Sequence, residues 1–157
     1  MLTLREATAE DVDTLYDLIV AIAEYHDQTA FVVTDRDELL QSGFGENPQF
    51  GVLLAEVDGE IAGYTSYTWN YSIWLGTTYM NIDDVFVWSR FRGQKIGESM
   101  MLRVRDLCKA RGVGRIRWEV EADNHKAIRF YERLGAEVTV KGVVRWDLSK
   151  EDRSDRP

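Results

Sequence analysis

Two acidic residues open an apolar run, Asp83-Asp84-Val85-Phe86-Val87, and a basic glycine-containing turn, Arg92-Gly93-Gln94-Lys95-Ile96-Gly97, comes after it. Carboxylates suit a reaction on an amine: an alkyl amine is mostly ammonium at neutral pH, so its site must bind a cation and then remove a proton. Neighbours on a strand are expected to point to opposite faces, which leaves Asp83 for the site and Asp84 as a surface or supporting acid. The turn has phosphate chemistry. Free N–H groups at a helix N-terminus accept an anion, glycine lets it come close, and Arg92 and Lys95 add charge. The same six residues equally suit a helix-capping loop with exposed basic side chains. No G-x-G-x-x-G is present, so the turn is not a dinucleotide fingerprint.

A second segment, Asp123 to Gly135, places Asn124 as a helix cap and Tyr131 one turn before the closing glycine. Alone, Tyr131 reads as a packing aromatic. His26 and His125 are the only histidines, and His26 suits either a proton relay or the lining of an entrance. With one cysteine, Cys108, on an apolar helical face, no metal site is expected. The aromatic series Tyr64, Tyr67, Trp69, Tyr71 and Trp74 offers either cation–π surface or strand packing, and Trp74, in a loop, is the candidate substrate contact.

These groups must be held by regular elements. Leu2 to Arg5 alternates as a strand. Thr8 with Asp11 caps a helix running to about Tyr25, with Val12, Leu15, Leu18, Ile19 and Ile22 on one face. Thr34 with Asp37 repeats the cap for a short helix ending near Gly43. Gly51–Val57 and Ile61 to about Tyr71, joined by Asp58-Gly59, form a hairpin. Tyr79–Val87 is a strand, and Ile96, Met100, Val104, Leu107 and Cys108 line a long helix closed at Gly112 and Gly114. Arg115–Glu121 is a strand and Lys126–Leu134 a helix; Ala136–Val140 and Val143–Leu148 complete the sheet. The sum is an α/β (α+β) layer fold in a single domain over residues 1–157, with a frayed tail from about residue 150.

The 157 residues carry 19 Lys and Arg against 27 Asp and Glu, a formal net charge of −8. That balance disfavours nucleic acid and anionic membrane and favours small cationic substrates, though acidity also serves solubility. The first residues show no apolar leader, and no uncharged run approaches the ~20 residues of a membrane span, so the chain reads as cytoplasmic.

Taken together the segments resemble the GNAT superfamily of N-acetyltransferases: a hydrophobic strand, an Arg/Gln-x-x-Gly-x-Gly/Ala turn, a helix, and later Asn-x-x-Ala-x-x-Phe-Tyr-x-x-x-Gly. The resemblance extends over residues 3 to about 148. It sharpens toward the spermidine/spermine (diamine/thialysine) branch at Ala23-Glu-Tyr25, Ser42-Gly-Phe-Gly-Glu-Asn-Pro48, Leu54-Ala-Glu-Val57, Trp74-Leu-Gly76 and Asp83 to Val87. It implies a mixed sheet of about six to seven strands flanked by about four helices, with acetyl-CoA as cosubstrate. Val85, Phe86 and Val87 would lie against pantetheine and thioester, Arg92, Gly93, Gln94, Lys95, Ile96, Gly97 and Glu98 around the pyrophosphate, and Asn124, His125, Lys126 and Ala127 on the far side of CoA. Tyr131 would be the general acid, Asp83 would bind or deprotonate the amine, and Tyr25 and His26 would contact substrate. A homodimer is implied, with Val143–Leu148 near its interface.

Two positions depart from that pattern. Lys95 stands at the middle glycine of the turn, which implies either φ below zero there or a side chain folded onto phosphate. His26 replaces a glutamate, which makes a diamine or lysine-like amino acid as plausible an acceptor as a polyamine. Acceptors on a protein or peptide, and a non-catalytic CoA-binding module, are the competing readings.

Overall fold

The computed structural model describes residues 1–149; the tail from residue 150 lies outside the described residues. Contacts divide the chain into two compact units, Met1–Glu119 and a second that begins at Val120.

The first unit carries β1 (Leu2–Glu6), α1 (Val12–Tyr25), α2 (Arg36–Phe44), β2 (Gly51–Val57), β3 (Glu60–Ser72), β4 (Thr77–Val87), α3 (Ile96–Ala110) and β5 (Ile116–Arg117). The sheet order is β1-β2-β3-β4-β5, antiparallel throughout except for the parallel pair of β4 with β5. β2 and β3 form the expected hairpin, and Asp58 and Gly59 both take positive φ, +50° and +86°. That is the turn whose twist matches paired strands.

The face of α1 read from the sequence is the face it buries. Val12, Leu15, Leu18 and Ala21 pack with Leu39 of α2 and with Val52, Leu54, Tyr64 and Phe86 of the sheet, while Ile19 and Ile22 flank them half-buried. Each such aliphatic side chain contributes roughly 1.5–3 kcal/mol when fully buried. On α3, Ile96, Met100, Met101, Val104 and Cys108 are buried, and the Cys108 sulfur lies 3.7 Å from that of Met80 on β4. The cysteine is a packing residue, as its position predicts.

The start of α1 is held by charge. The Asp11 carboxylate accepts from the Thr8 N–H at 2.7 Å and pairs with the Arg5 guanidinium at 2.8 and 2.9 Å, while Arg5 also reaches Glu56 at 2.9 Å. One guanidinium thus ties β1, β2 and the first turn before α1 together. The bond to Arg5 holds Asp11 down at about 2. A depressed carboxyl stabilises the fold above its unfolded value near 3.8, and that contribution disappears as pH falls toward about 2. Asp11→Ala is expected to cost about 1–2 kcal/mol at neutral pH, the usual effect of a lost cap, and almost nothing at pH 2. Denaturant titrations at the two pH values check it.

Three expectations are corrected. α2 is capped one residue later than predicted: the Asp35 carboxylate, not Thr34, accepts from the helix, taking the Glu38 N–H at 2.8 Å. Asp35 has the extended backbone a cap needs and the stronger acceptor, whereas the Thr34 hydroxyl makes only a 3.5 Å contact with the Asp35 carbonyl. The sheet has five strands among the described residues, not six to seven. Ala136–Val140 and Val143–Leu148 alternate as strands do, but alternation sets a face and cannot supply a partner ladder. Two bonds of this stretch close local turns, the Ala136 N–H on the Tyr131 carbonyl and the Ser149 N–H on the Asp147 carboxylate. β5 is two residues long instead of Arg115–Glu121.

In the second unit α4 (His125–Arg133) begins one residue before the expected Lys126, directly after its expected cap. The Asn124 side chain accepts from the Ala127 N–H at 3.2 Å, and Gly135, at φ +98°, ends the segment. His125 is exposed, and no helix among the described residues is long and apolar enough to cross a membrane.

Candidate active site

β4 changes character at Asp83. Ser66 pairs with Asp84 and Tyr67 with Ile82, so Asp83 is an extra residue facing no partner on β3, a β-bulge. Before it, Met80 meets Cys108 of α3. After it, Phe86 packs in the cluster with Leu15 and Leu18 of α1. Even-numbered side chains therefore switch faces across the bulge. The expected opposition of Asp83 and Asp84 fails for this reason, because strict alternation holds only in a regular ladder. Both carboxylates act on the same phenol, Tyr64, whose burial pushes its pKa up, Asp84 and then Asp83 adding to the effect. The Tyr64 hydroxyl is fully buried without a hydrogen-bond partner among the described residues.

The bulge is secured from β3. The buried Thr65 hydroxyl donates to the Asp84 carbonyl at 2.7 Å and Ser66 to the Asp84 carboxylate at 3.0 Å. Gly63 lets the strands lie this close, since a Cβ there would come within 2.3 Å of the Phe86 carbonyl. Asp84 is committed to Ser66. Asp83 is exposed and, among the described residues, receives only the Asn81 amide, at 3.1 Å. Partial desolvation raises the Asp83 carboxyl above the ordinary range, the Asp84 charge raises it further, and the Asn81 bond opposes them. Asp83 lines a depression of about 160 Å³ with Asn81, Ile82 and Glu119. Glu119 was not singled out from the sequence, because neither β5 nor the residues after it carry a local cue to which acid stands beside β4.

The bulge also ends the parallel pairing. β5 meets β4 only at Met80 with Ile116 and Asn81 with Arg117, since a bulged strand bends away from its neighbour. Beyond it, Val85, Phe86 and Val87 are paired to β3 but to no strand on the other edge within this unit, where backbone groups are open. The Val87 carbonyl is taken by the Arg92 Nε at 3.0 Å, and the Arg92 guanidinium lies 4.8 Å over the Tyr25 ring, which meets His26 edge-on at 5.2 Å. Arg92, Tyr25 and His26 are thereby gathered at the end of β4.

The turn before α3 is wound for an anion. Gly93 has φ +81° and Lys95 φ +60°, and nothing lies within 4 Å of where a Cβ on Gly93 or Gly97 would be. The first of the two alternatives for Lys95, φ below zero, is excluded; a lysine adopts the left-handed geometry of the glycine it replaces, at a cost of about 1–2 kcal/mol. No side chain caps α3 among the described residues, which leaves its first N–H groups without a side-chain acceptor. An uncapped helix start, glycines without neighbours and an open strand edge together fit a pyrophosphate-bearing acyl carrier.

Other candidates are placed apart. Trp74 is 99% exposed on the loop between β3 and β4, at the opposite end of β4 from Val87. Tyr64 and Tyr67 are buried and Trp69 lies beneath the Arg111 guanidinium at 4.1 Å, so these three pack within the fold, whereas Tyr71 is exposed. Asn124, His125, Lys126, Ala127 and Tyr131 all lie on α4 or at its cap in the second unit. Among the described residues no cluster of His, Cys, Asp and Glu suits a metal.

The chain matches the Acetyltransferase (GNAT) family over residues 12–136 and belongs to it. It is 32% identical over 142 residues to the thialysine N-epsilon-acetyltransferase of Mus musculus, an alignment covering 85% of this chain and 83% of that protein. It is 25% identical to the Homo sapiens spermidine/spermine N(1)-acetyltransferase-like protein 1 over 97% of this chain and 23% of that longer protein. In fold it resembles an aminoglycoside acetyltransferase from an uncultured soil metagenomic sample in complex with trehalose, at a TM-score of 0.79 and 17% identity, with 92% of this chain and 95% of that one covered. The resemblance to the diamine and thialysine branch read from the sequence thus holds, and the protein is an acetyl-transferring enzyme.

Proposed function

We propose that this enzyme transfers acetyl from acetyl-CoA to the primary amine of a small cationic substrate, a diamine, polyamine or lysine-like amino acid. The observation that carries the reading is the Asp83 bulge: a carboxylate without a cationic partner among the described residues stands two residues before the open edge Val85–Val87. Similarity to a thialysine acetyltransferase supports the same substrate class.

Acetyl-CoA, when bound, supplies an activated thioester. Gly93 to Glu98 hold its pyrophosphate with the free N–H groups of the α3 start, and Lys95 adds charge. Asn124 to Ala127 line its far side. Asp83 binds the ammonium and accepts its proton, with Glu119 adding negative potential. Backbone N–H groups on Val85 to Val87 face the charge that develops as the amine attacks. Tyr131 holds a proton for the departing thiolate. Tyr25 and His26 contact the acceptor, and Trp74 stands outside that group. The working form is a homodimer, and the compartment is the cytoplasm.

A panel of spermidine, putrescine, cadaverine, thialysine, lysine and an alanine-initiated peptide, assayed for thiol release with acetyl-CoA, tests the reading. Turnover of at least one small amine and none of the peptide is expected. Turnover of the peptide alone overturns it, as does acetyl-CoA binding without turnover of any amine.

A further inference from the structure

Asp84 is the acid of the pair that is not given to the amine. It is half-buried, and among the described residues its carboxylate is met by one hydroxyl, Ser66 at 3.0 Å, and by no cation. Ser66 and Tyr64 stand two apart on β3 and pair with Asp84 and Phe86 of β4, so all four side chains share one face. Tyr64 is thus the diagonal neighbour of Asp84, a separation that an aromatic side chain spans. Its ring sits among Leu15 and Leu18 of α1, Val52 and Leu54 of β2 and Phe86 of β4. The hydroxyl that ends this ring is fully buried with no hydrogen-bond partner among the described residues. An orphaned buried hydroxyl destabilises a fold, and phenylalanine in the same apolar surroundings avoids that cost. What acts on the hydroxyl is the Asp84 charge and, more weakly, that of Asp83. Burial first and then these two charges raise the phenol's pKa, so it keeps its proton. An O–H dipole in a low-dielectric pocket turns toward a neighbouring anion.

We infer that Tyr64 is a positioning residue for the amine site: its hydroxyl, with that of Ser66, keeps Asp84 ionised, so the proton taken from the amine goes to Asp83. This rests on the proposed amine acetylation. Two adjacent carboxylates resist ionising together, and the one with more donors keeps its charge while the other takes the proton. Asp84 has the Ser66 hydroxyl and the phenol dipole, and Thr65 pins its carbonyl at 2.7 Å. Asp83 has the Asn81 amide alone among the described residues. The fixed charge of Asp84 makes Asp83 the stronger base. The titratable groups about the pair are Tyr64 on β3 and Glu119 after β5, which acts on Asp83. In the step itself an N–H bond of the ammonium breaks and an O–H bond forms on Asp83. The electron pair stays on nitrogen for attack on the thioester.

The test reads both carboxyls directly, by carbon NMR titration of isotope-labelled aspartate in wild type, Tyr64→Phe and Ser66→Ala, with Asp83→Asn and Asp84→Asn assigning the signals. In wild type Asp84 is expected to titrate below Asp83. Tyr64→Phe and Ser66→Ala each raise the Asp84 midpoint by up to about one pH unit, the size of one hydrogen bond to a charged group, and Asp84→Asn lowers that of Asp83. With thialysine as acceptor, the acid limb of kcat/KM moves to higher pH in Tyr64→Phe and to lower pH in Asp84→Asn. A merely structural role moves neither limb. Tyr64→Phe melts at or above the wild-type temperature, because the orphaned hydroxyl is gone, so the fold is kept. An Asp84 midpoint unmoved in Tyr64→Phe, or an Asp83 that titrates below Asp84, overturns the inference while leaving amine acetylation standing. A wild type inert toward thialysine, spermidine and cadaverine alike removes the functional reading and the inference with it.

Discussion

Asp83→Asn is expected to lower kcat/KM for the amine by about 10²- to 10⁴-fold, the range for loss of a positioned proton acceptor. The substitution keeps shape and the bond from Asn81 while removing the charge that attracts an ammonium, so KM rises and kcat falls together. The pH profile separates this from a structural effect. Partial desolvation and the Asp84 charge raise the Asp83 carboxyl, so the wild-type rate falls on acidification through a pKa above that of an ordinary aspartate. In Asp83→Asn that acid limb is lost. Stability moves the other way. A carboxyl raised in the fold is more readily ionised in the unfolded chain, so ionised Asp83 opposes folding above its ordinary value near 3.8. Asp83→Asn is therefore expected to melt at or above the wild-type temperature at pH 7. A variant that turns over normally, beside a Glu119→Gln that does not, moves the base to Glu119.

How much of this was legible in the sequence depends on whether a signal was local. Caps, turns and helical faces are local: Asn124, the Asp58-Gly59 turn and the α1 stripe were found where the residue types put them. The α2 cap slipped by one because Thr34 and Asp35 both qualify and only backbone geometry separates them. The bulge was not legible. Nothing in Ile82-Asp83-Asp84 marks an extra residue; it is a property of the register against Ser66 and Tyr67, two strands aligned by their whole cores. Missing it turned two cooperating carboxylates into opposed ones. It also hid why β5 stops at Arg117, since the bend that frees the edge of Val85 to Val87 is the same event. Glu119 became a candidate only through that geometry. The family resemblance named Asp83 as a site residue to test, and the register adds that the neighbouring acid, Asp84, is held by Ser66 and is not available to take its place.

Tyr131→Phe is expected to cut turnover by at least about tenfold, and by up to about 10⁴-fold, with acetyl-CoA affinity near wild type. Phenylalanine keeps the ring on α4, where it lies tilted against Phe130 at 5.3 Å between centroids, and removes only the hydroxyl. A packing role therefore predicts little change, and a proton donor predicts a loss confined to kcat. The leaving group gives the sharper test. A thiolate of ordinary basicity, such as that of CoA, leaves faster when protonated, whereas that of an acidic aromatic thiol departs without help. Against the acetyl thioester of such a thiol the wild type and Tyr131→Phe should converge, because the missing proton no longer limits the step. A loss that persists equally with both donors means the hydroxyl serves the geometry of α4 instead. Turnover unchanged with acetyl-CoA removes Tyr131 from the chemistry altogether, and leaves protonation of the thiolate to solvent or to the proton that Asp83 has just accepted.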